Sequence, residues 1–315
     1  MTRGLKVLLV LCIYISPGWG FFGHQQINRL AVFCLPVEMS GFYKKNIRYL
    51  IETSTHPDER RYAVAAEAPR HFIDLDAYTD TLPKHWSAAV ERFGEDSLSK
   101  HGIVPWHVVS MYYRLREAFM LNDPARILKV SAELGHYVGD AHVPLHTTRN
   151  YNGQLTGQTG IHGLWESRLP ELFFNNYDFY VGPASYVDNP TDMIWKVIEE
   201  SHLAVDSVLR RERELAAVQL TRFSYETKGK QTIRVYDLAF SRKYHEHLSG
   251  MVERRIRASV KATADLWFTA WVDAGQPDLN KWMDRQPTAE ELKIRADELA
   301  LWKKANFSRE EGDHH

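Results

Sequence analysis

Residues 124–146 read Pro-Ala-Arg-Ile-Leu-Lys-Val-Ser-Ala-Glu-Leu-Gly-His-Tyr-Val-Gly-Asp-Ala-His-Val-Pro-Leu-His. Pro124 opens a helix, because its fixed φ suits the first turn, where its missing N–H has no partner to lose. Ile127, Leu128, Ala132 and Leu134 follow at helical spacing. His136 and Asp140 stand four apart, so they project from one face and can meet at one ion. Pro144 pushes Val143 out of the α region and ends the helix. His146 therefore leaves on a new path. His142, two residues beyond Asp140, points about 200° round the helix from it, which suits a supporting or structural role.

The same period recurs on both sides. His24 to Leu35 places Ile27, Leu30, Ala31 and Cys34 on one face. Gly41 to Glu52 continues after Pro36, with Phe42, Ile47, Leu50 and Ile51. Pro105 marks another start, followed by Trp106 to Met120. Asp192 to Leu215 and Thr232 to Ala274 read as long helices, the second passing through a plausible break at Ser249-Gly250. Thr288 to Lys304 carries Glu290 and Glu291 in its first turn and Lys303 and Lys304 in its last, which suits the helix dipole. Strand alternation is nearly absent, and no internal repeat or low-complexity linker divides the chain. The expectation is one all-α domain.

Composition narrows the function. The chain has 315 residues, 44% hydrophobic and 25% charged, the balance of a globular protein. Lys plus Arg is 39 against 40 Asp plus Glu, so the strongly basic footprint of a nucleic-acid binder is absent as a global property. Residues 1–18 read as a signal peptide. Arg3 and Lys6 precede an apolar run, Val7 to Ile15, too short to span a bilayer. Ser16-Pro17-Gly18 supplies small residues before a cut at Trp19. A secreted or periplasmic protein is expected, with residues 19–315 as its domain. Of two cysteines only Cys34 would remain, so no internal disulfide is available.

The chemistry lies in the histidines. There are 15, and ten fall between His24 and His162. His162-Gly163-Leu164-Trp165-Glu166 repeats the four-residue spacing of His136 and Asp140. One such pair reads equally well as a surface hydrogen bond; two flanking a glycine-containing loop, Asn150 to Gly160, point to metal. That loop joins candidate ligands, and its glycines predict a mobile rim over the site. Upstream stand Trp19, His24, His56-Pro57-Asp58-Glu59-Arg60-Arg61 and His71-Phe72-Ile73-Asp74, each unremarkable alone. Together these residues offer oxygen and nitrogen ligands without thiolate, a set that suits catalytic rather than structural zinc.

In this ordered set the chain resembles the trinuclear-zinc phosphodiesterases, which include single-strand-specific zinc nucleases and zinc-dependent phospholipases C. The resemblance runs from Trp19 to Glu166: an N-terminal Trp, a nearby His, an Asp, a His-Phe-Ile-Asp segment, His-x3-Asp-x5-His, then His-x3-carboxylate. It implies the multi-helical fold of that family and three zinc ions. The first would take Asp58, His71, His136 and Asp140. The second would share Asp140 and add His24 with the amine and carbonyl of Trp19. The third would take His146, His162 and Glu166. Asp58 would orient or deprotonate the attacking water. Arg61 matches an Arg that helps hold the phosphate, and a surface ion pair is the equal alternative. Phe72 and Asp74 match substrate-contacting positions, a base-stacking ring and a base-contacting carboxylate in the nucleases. Trp19-x4-His24 and Asp58-x2-Arg61 look nuclease-like, whereas Glu166 in place of Asp looks phospholipase-like.

The reading is a zinc-dependent hydrolase of phosphodiester bonds, phospholipase C-like. The alternative is a single-strand-specific nuclease or nucleotidase. A non-catalytic zinc-binding protein on the same scaffold is the reading of another class. The partner implied is the phosphodiester substrate, a phospholipid or a single-stranded nucleic acid or nucleotide; no protein partner is implied.

Overall fold

The computed structural model describes residues 20–228 and 231–304; the signal segment, Trp19 and the His314-His315 tail lie outside the described residues. The fold is built almost wholly of helices. In chain order these are α1 (Gly20–Ala31), α2 (Val37–Lys45), α3 (Ile47–Thr53), α4 (His56–Arg60), α5 (Trp86–Phe93), α6 (Glu95–Lys100), α7 (Val104–Met120) and α8 (Pro124–Ala141). After them come α9 (Ile161–Gly163), α10 (Leu169–Phe173), α11 (Pro190–Val218), α12 (Leu238–His247), α13 (Met251–Asp273) and α14 (Ala289–Lys304). Among the described residues, no helix is long and apolar enough to cross a membrane.

Helix α8 is the axis. It runs from Pro124 to Ala141 as its sequence dictates, with Asp123 capping the amide of Arg126. Packed against α1, α3, α7 and α13, it is buried from Val130 to Ala141 without interruption. A helix enclosed on all sides must be apolar or have its polar groups partnered. Ile127, Leu134 and Val138 meet the first condition; Ser131, Glu133, His136 and Asp140 meet the second. Ser131, for example, is paired with Tyr43 across the core at 2.8 Å. Truncating a fully buried side chain such as Leu134 to Ala costs roughly 2–5 kcal/mol.

The approach of α1 to α8 depends on two glycines inside α8. A Cβ on Gly135 would lie 1.8 Å from Asn28 Oδ1. The same Asn28 donates from Nδ2 to Ala132 O at 2.9 Å and to Leu50 O at 3.3 Å, tying α1 to both α8 and α3. Glycine costs helix stability relative to alanine; here it admits the helix that carries His24.

Several boundaries differ from the sequence expectation. The helix expected over Gly41–Glu52 is two helices parted at Asn46, whose side chain donates to Phe42 O at 2.9 Å and competes with the backbone ladder. The long helix expected over Thr232–Ala274 is corrected at both places where the backbone has an alternative. Gln231–Tyr236 is a strand, paired antiparallel with Phe223–Lys228. Thr232, Ile233 and Val235 favour that extended state. Arg168 bonds Glu226 at 2.6 Å, and Arg222 pairs with Glu212 at 2.6 Å, so the hairpin is held to the helices. Ser249 and Gly250 then take positive φ, 50° and 75°, and separate α12 from α13. The C-terminal α14 backs α4, placing Trp302 against the His56 ring at 5.2 Å and under the Arg60 guanidinium at 5.9 Å.

Candidate metal centre

Six chain segments converge on one spot. Helix α1 brings His24, the short α4 brings Asp58, and a 3-10 turn, Ala68–His71, ends on His71. Helix α8 supplies His136 and Asp140. The turn Pro144–Thr147 supplies His146, and the turn after the Gly loop supplies His162 and Glu166. The segments brace one another: Ile73 N–H donates to His146 O at 2.8 Å, and His146 Nδ1 bonds His71 O at 2.8 Å. Leu164–Arg168 is a π-helical turn rather than the α-helix that the His162–Glu166 spacing implies. Such widened turns recur at functional sites.

The donor atoms form three groups. In the first, His71 Nδ1 lies 3.0 Å from Asp140 Oδ2, 3.1 Å from His136 Nε2 and 3.8 Å from Asp58 Oδ1. His136 Nε2 lies 3.2 Å from Asp140 Oδ2 and 3.9 Å from Asp58 Oδ1. A tetrahedral zinc with bonds near 2.0–2.1 Å separates its donors by about 3.3 Å, the middle of this range. In the second group, His24 Nε2 approaches the other oxygen of Asp140, Oδ1, at 3.4 Å, and its ring stacks on His136 at 3.9 Å. In the third, His146 Nε2 lies 3.1 Å from His162 Nε2 and 3.3 Å from Glu166 Oε2, and His162 bonds the same oxygen. Asp140 thus directs one oxygen to each of two groups.

The charges are compatible with bound cations. Burial opposes ionisation of Asp140, yet His136 and hydrogen bonds from the surrounding imidazoles hold its carboxyl well below the usual range. Asp58 is held low against its burial by His136, Arg61 and His71, and Glu166 is held well below its ordinary value by His146 and His162. In return, Asp140 and Asp58 push His136 up to about 9, overcoming burial, while burial wins at His71 and keeps it low. Carboxylates kept ionised beside imidazole nitrogens form a donor set that a divalent ion could take up, releasing any protons held there.

No family model matches the chain, and no curated protein matches it. What the site can do is therefore carried by its own residues. The described ligand candidates, His24, Asp58, His71, His136, Asp140, His146, His162 and Glu166, all lie in this cluster; Trp19 lies outside the described residues. Arg61 stands beside Asp58, Nη1 to Oδ1 3.8 Å, with its guanidinium over the Tyr62 ring. Phe72 and Asp74 are placed differently from open substrate contacts. They are only 3% and 2% exposed, and the Asp74 carboxylate lies 3.5 Å from His101 Nδ1. His142 turns away, bonding Val138 O at 2.7 Å, and burial drives its pKa down to about 3, in keeping with a structural role.

The loop Asn150–Gly160, expected to be mobile, is instead braced by hydrogen bonds. Asn150 accepts from the Leu155 amide at 2.8 Å and donates to Thr156 at 3.1 Å. Gln158 donates to Leu209 O and to Glu212. Gly153 has φ 72° and packs on the backbone of Gln158, a place no side chain fits. Glycine here serves a tight turn, not mobility.

The sequence reading missed Glu67, Arg60 and Tyr137, which form a buried network behind His71. Glu67 stands four before His71, the same spacing that drew attention to the other pairs. It missed Gly139 too. A Cβ there would lie 2.9 Å from His24 Nδ1 and 3.2 Å from Ile27 Cδ1, so His24 must yield. If the His24–Asp140 group holds a metal, Gly139→Ala is expected to weaken that ion and spare the other groups. Chelator titration should show one ion released early; unchanged retention of every ion would remove this role from Gly139.

Proposed function

We propose that the chain is a zinc-dependent hydrolase of phosphodiester bonds, phospholipase C-like, with the multi-helical fold and three zinc ions of the trinuclear-zinc phosphodiesterases. The observation that carries this reading is Asp140, whose two oxygens serve two different imidazole groups, with a third group adjoining through His146. The donor set is all nitrogen and oxygen, and its spacing fits zinc. Asp58, His71, His136 and Asp140 would hold the first ion. His24 and Asp140, with the terminal amine and carbonyl of Trp19 after export and cleavage, would hold the second. His146, His162 and Glu166 would hold the third.

Zinc held by these residues would supply an activated water and neutralise charge on phosphate oxygens and on the departing alkoxide. The chain's own part is positional. Asp58, with a side chain 17% exposed, would orient or deprotonate the attacking water. Arg61, 3.8 Å from Asp58, would offer its positive charge to a phosphate oxygen.

Glu166 is the phospholipase-like feature of the site. Arg61 beside Asp58 favours the nuclease reading, which the same assay decides. The metal-loaded chain beginning at Trp19 is offered phosphatidylcholine, single-stranded DNA and RNA. Release of phosphocholine is expected. Cleavage of nucleic acid alone would turn the assignment to a nuclease. No turnover with zinc bound would leave a zinc-binding scaffold. Elemental analysis should give about three zinc per chain; a value near one with full activity would overturn the trinuclear assignment.

A further inference from the structure

The geometry points to Glu67 as a positioning residue that fixes His71 with Nδ1 turned into the metal centre, a role that rests on the metal reading above. His71 differs from its neighbours in how its ring is used. His136 and His146 turn Nε2 inward and bond carbonyls through Nδ1, each at 2.8 Å, to Ser54 and His71. His71 turns Nδ1 inward, toward Asp140, His136 and Asp58. Its Nε2 is buried and makes no hydrogen bond. When Nδ1 offers its lone pair, the ring proton must sit on Nε2, and a buried N–H without an acceptor is costly. Glu67 Oε1 faces that nitrogen at 3.8 Å, and a movement of about 1 Å closes a hydrogen bond.

Glu67 is built to be that acceptor. It is fully buried. Arg60 donates to both of its oxygens, Nε to Oε2 at 2.9 Å and Nη2 to Oε1 at 3.1 Å. Arg70 donates to Oε2 at 2.6 Å, and the Tyr137 hydroxyl donates to Oε1. Arg60 also bonds Glu133 at 2.8 Å, so the second charge of the network is answered. The carboxylate is thereby fixed in place as an anion behind one metal-facing imidazole. A carboxylate in that position sets the tautomer of a ligand histidine and raises its basicity; losing such a partner costs about 10–100-fold in metal affinity.

Glu67 is also a node of buried ion pairs, so the test separates positioning from packing. Glu67→Gln, Glu67→Asp and Tyr137→Phe are prepared metal-free in the full chain, and their folding is checked by circular dichroism. Each is then loaded with zinc and titrated with a chelator, with ions counted by native mass spectrometry. Glu67→Gln is expected to lose one ion at about 10–100-fold lower chelator concentration than wild type. Glu67→Asp keeps the charge between the two arginines but withdraws it from His71, so it should fold and show the same early loss if the Gln variant does not fold. Tyr137→Phe disturbs the network without removing the acceptor and should hold its ions as wild type does. The inference is overturned if a folded Glu67 variant keeps every ion at wild-type affinity, or if Tyr137→Phe loses an ion as readily as the Glu67 variants. A wild-type chain that binds no zinc would sink the proposed function, and this inference with it.

Discussion

Under the proposed function, Asp140→Asn should leave the chain folded and cost it two of the three proposed zinc ions together with nearly all turnover. The substitution keeps the size of the side chain and removes the charge. At present one oxygen lies 3.0 and 3.2 Å from His71 and His136, and the other 3.4 Å from His24. Both groups lose their shared anion at once. Disturbing an outer partner of a metal ligand costs up to about 100-fold, so removing a ligand common to two ions should exceed that, each further tenfold being about 1.4 kcal/mol of barrier. Glu166→Asp keeps its charge and only shortens its reach, and the loss there should be smaller. Zinc content and phosphodiester turnover measured on one preparation decide the matter. A variant with wild-type zinc and near wild-type rate would exclude the bridge.

The second large effect should come from a position that touches no metal. Gly135→Ala puts a methyl group where Asn28 Oδ1 now lies, 1.8 Å from the ideal Cβ. Either α1 moves out or Asn28 swings away and abandons its bonds to Ala132 O and Leu50 O. Overpacking of this severity should cost roughly 3 kcal/mol, seen as a fall of several degrees in Tm. Because α1 carries His24, the ion proposed between His24 and Asp140 should loosen too. Asn28→Ala clears the space, so the double variant should lose much less than the sum of the two single losses. Equal Tm for wild type and Gly135→Ala would show that the two helices have room to spare.

Periodicity and breakers are local, and they were enough for the helices that frame the site. Pro124, the apolar recurrence after it and Pro144 mark out α8 because proline geometry and a 3.6-residue repeat act within a few residues. The four-residue spacing brought His136 to Asp140 for the same reason. The strand Gln231–Tyr236 escaped that reading, since Thr232 to Tyr236 joins smoothly to a helical pattern and only its pairing with Phe223–Lys228 settles the choice. Convergence is a different matter. His24 stacks on His136, and His71 meets Asp140, across 112 and 69 residues of chain, distances over which no repeat operates. From residue order alone, their grouping was an expectation by resemblance; packing on the buried faces of α8 is what brings the rings together. The burial of Phe72 and Asp74 and the bracing of Asn150–Gly160 were likewise settled by tertiary neighbours. So was the use of Gly135 and Gly139. A glycine inside a helix is only a local cost until another helix arrives to fill the space it leaves, and here that helix brings Asn28 and His24.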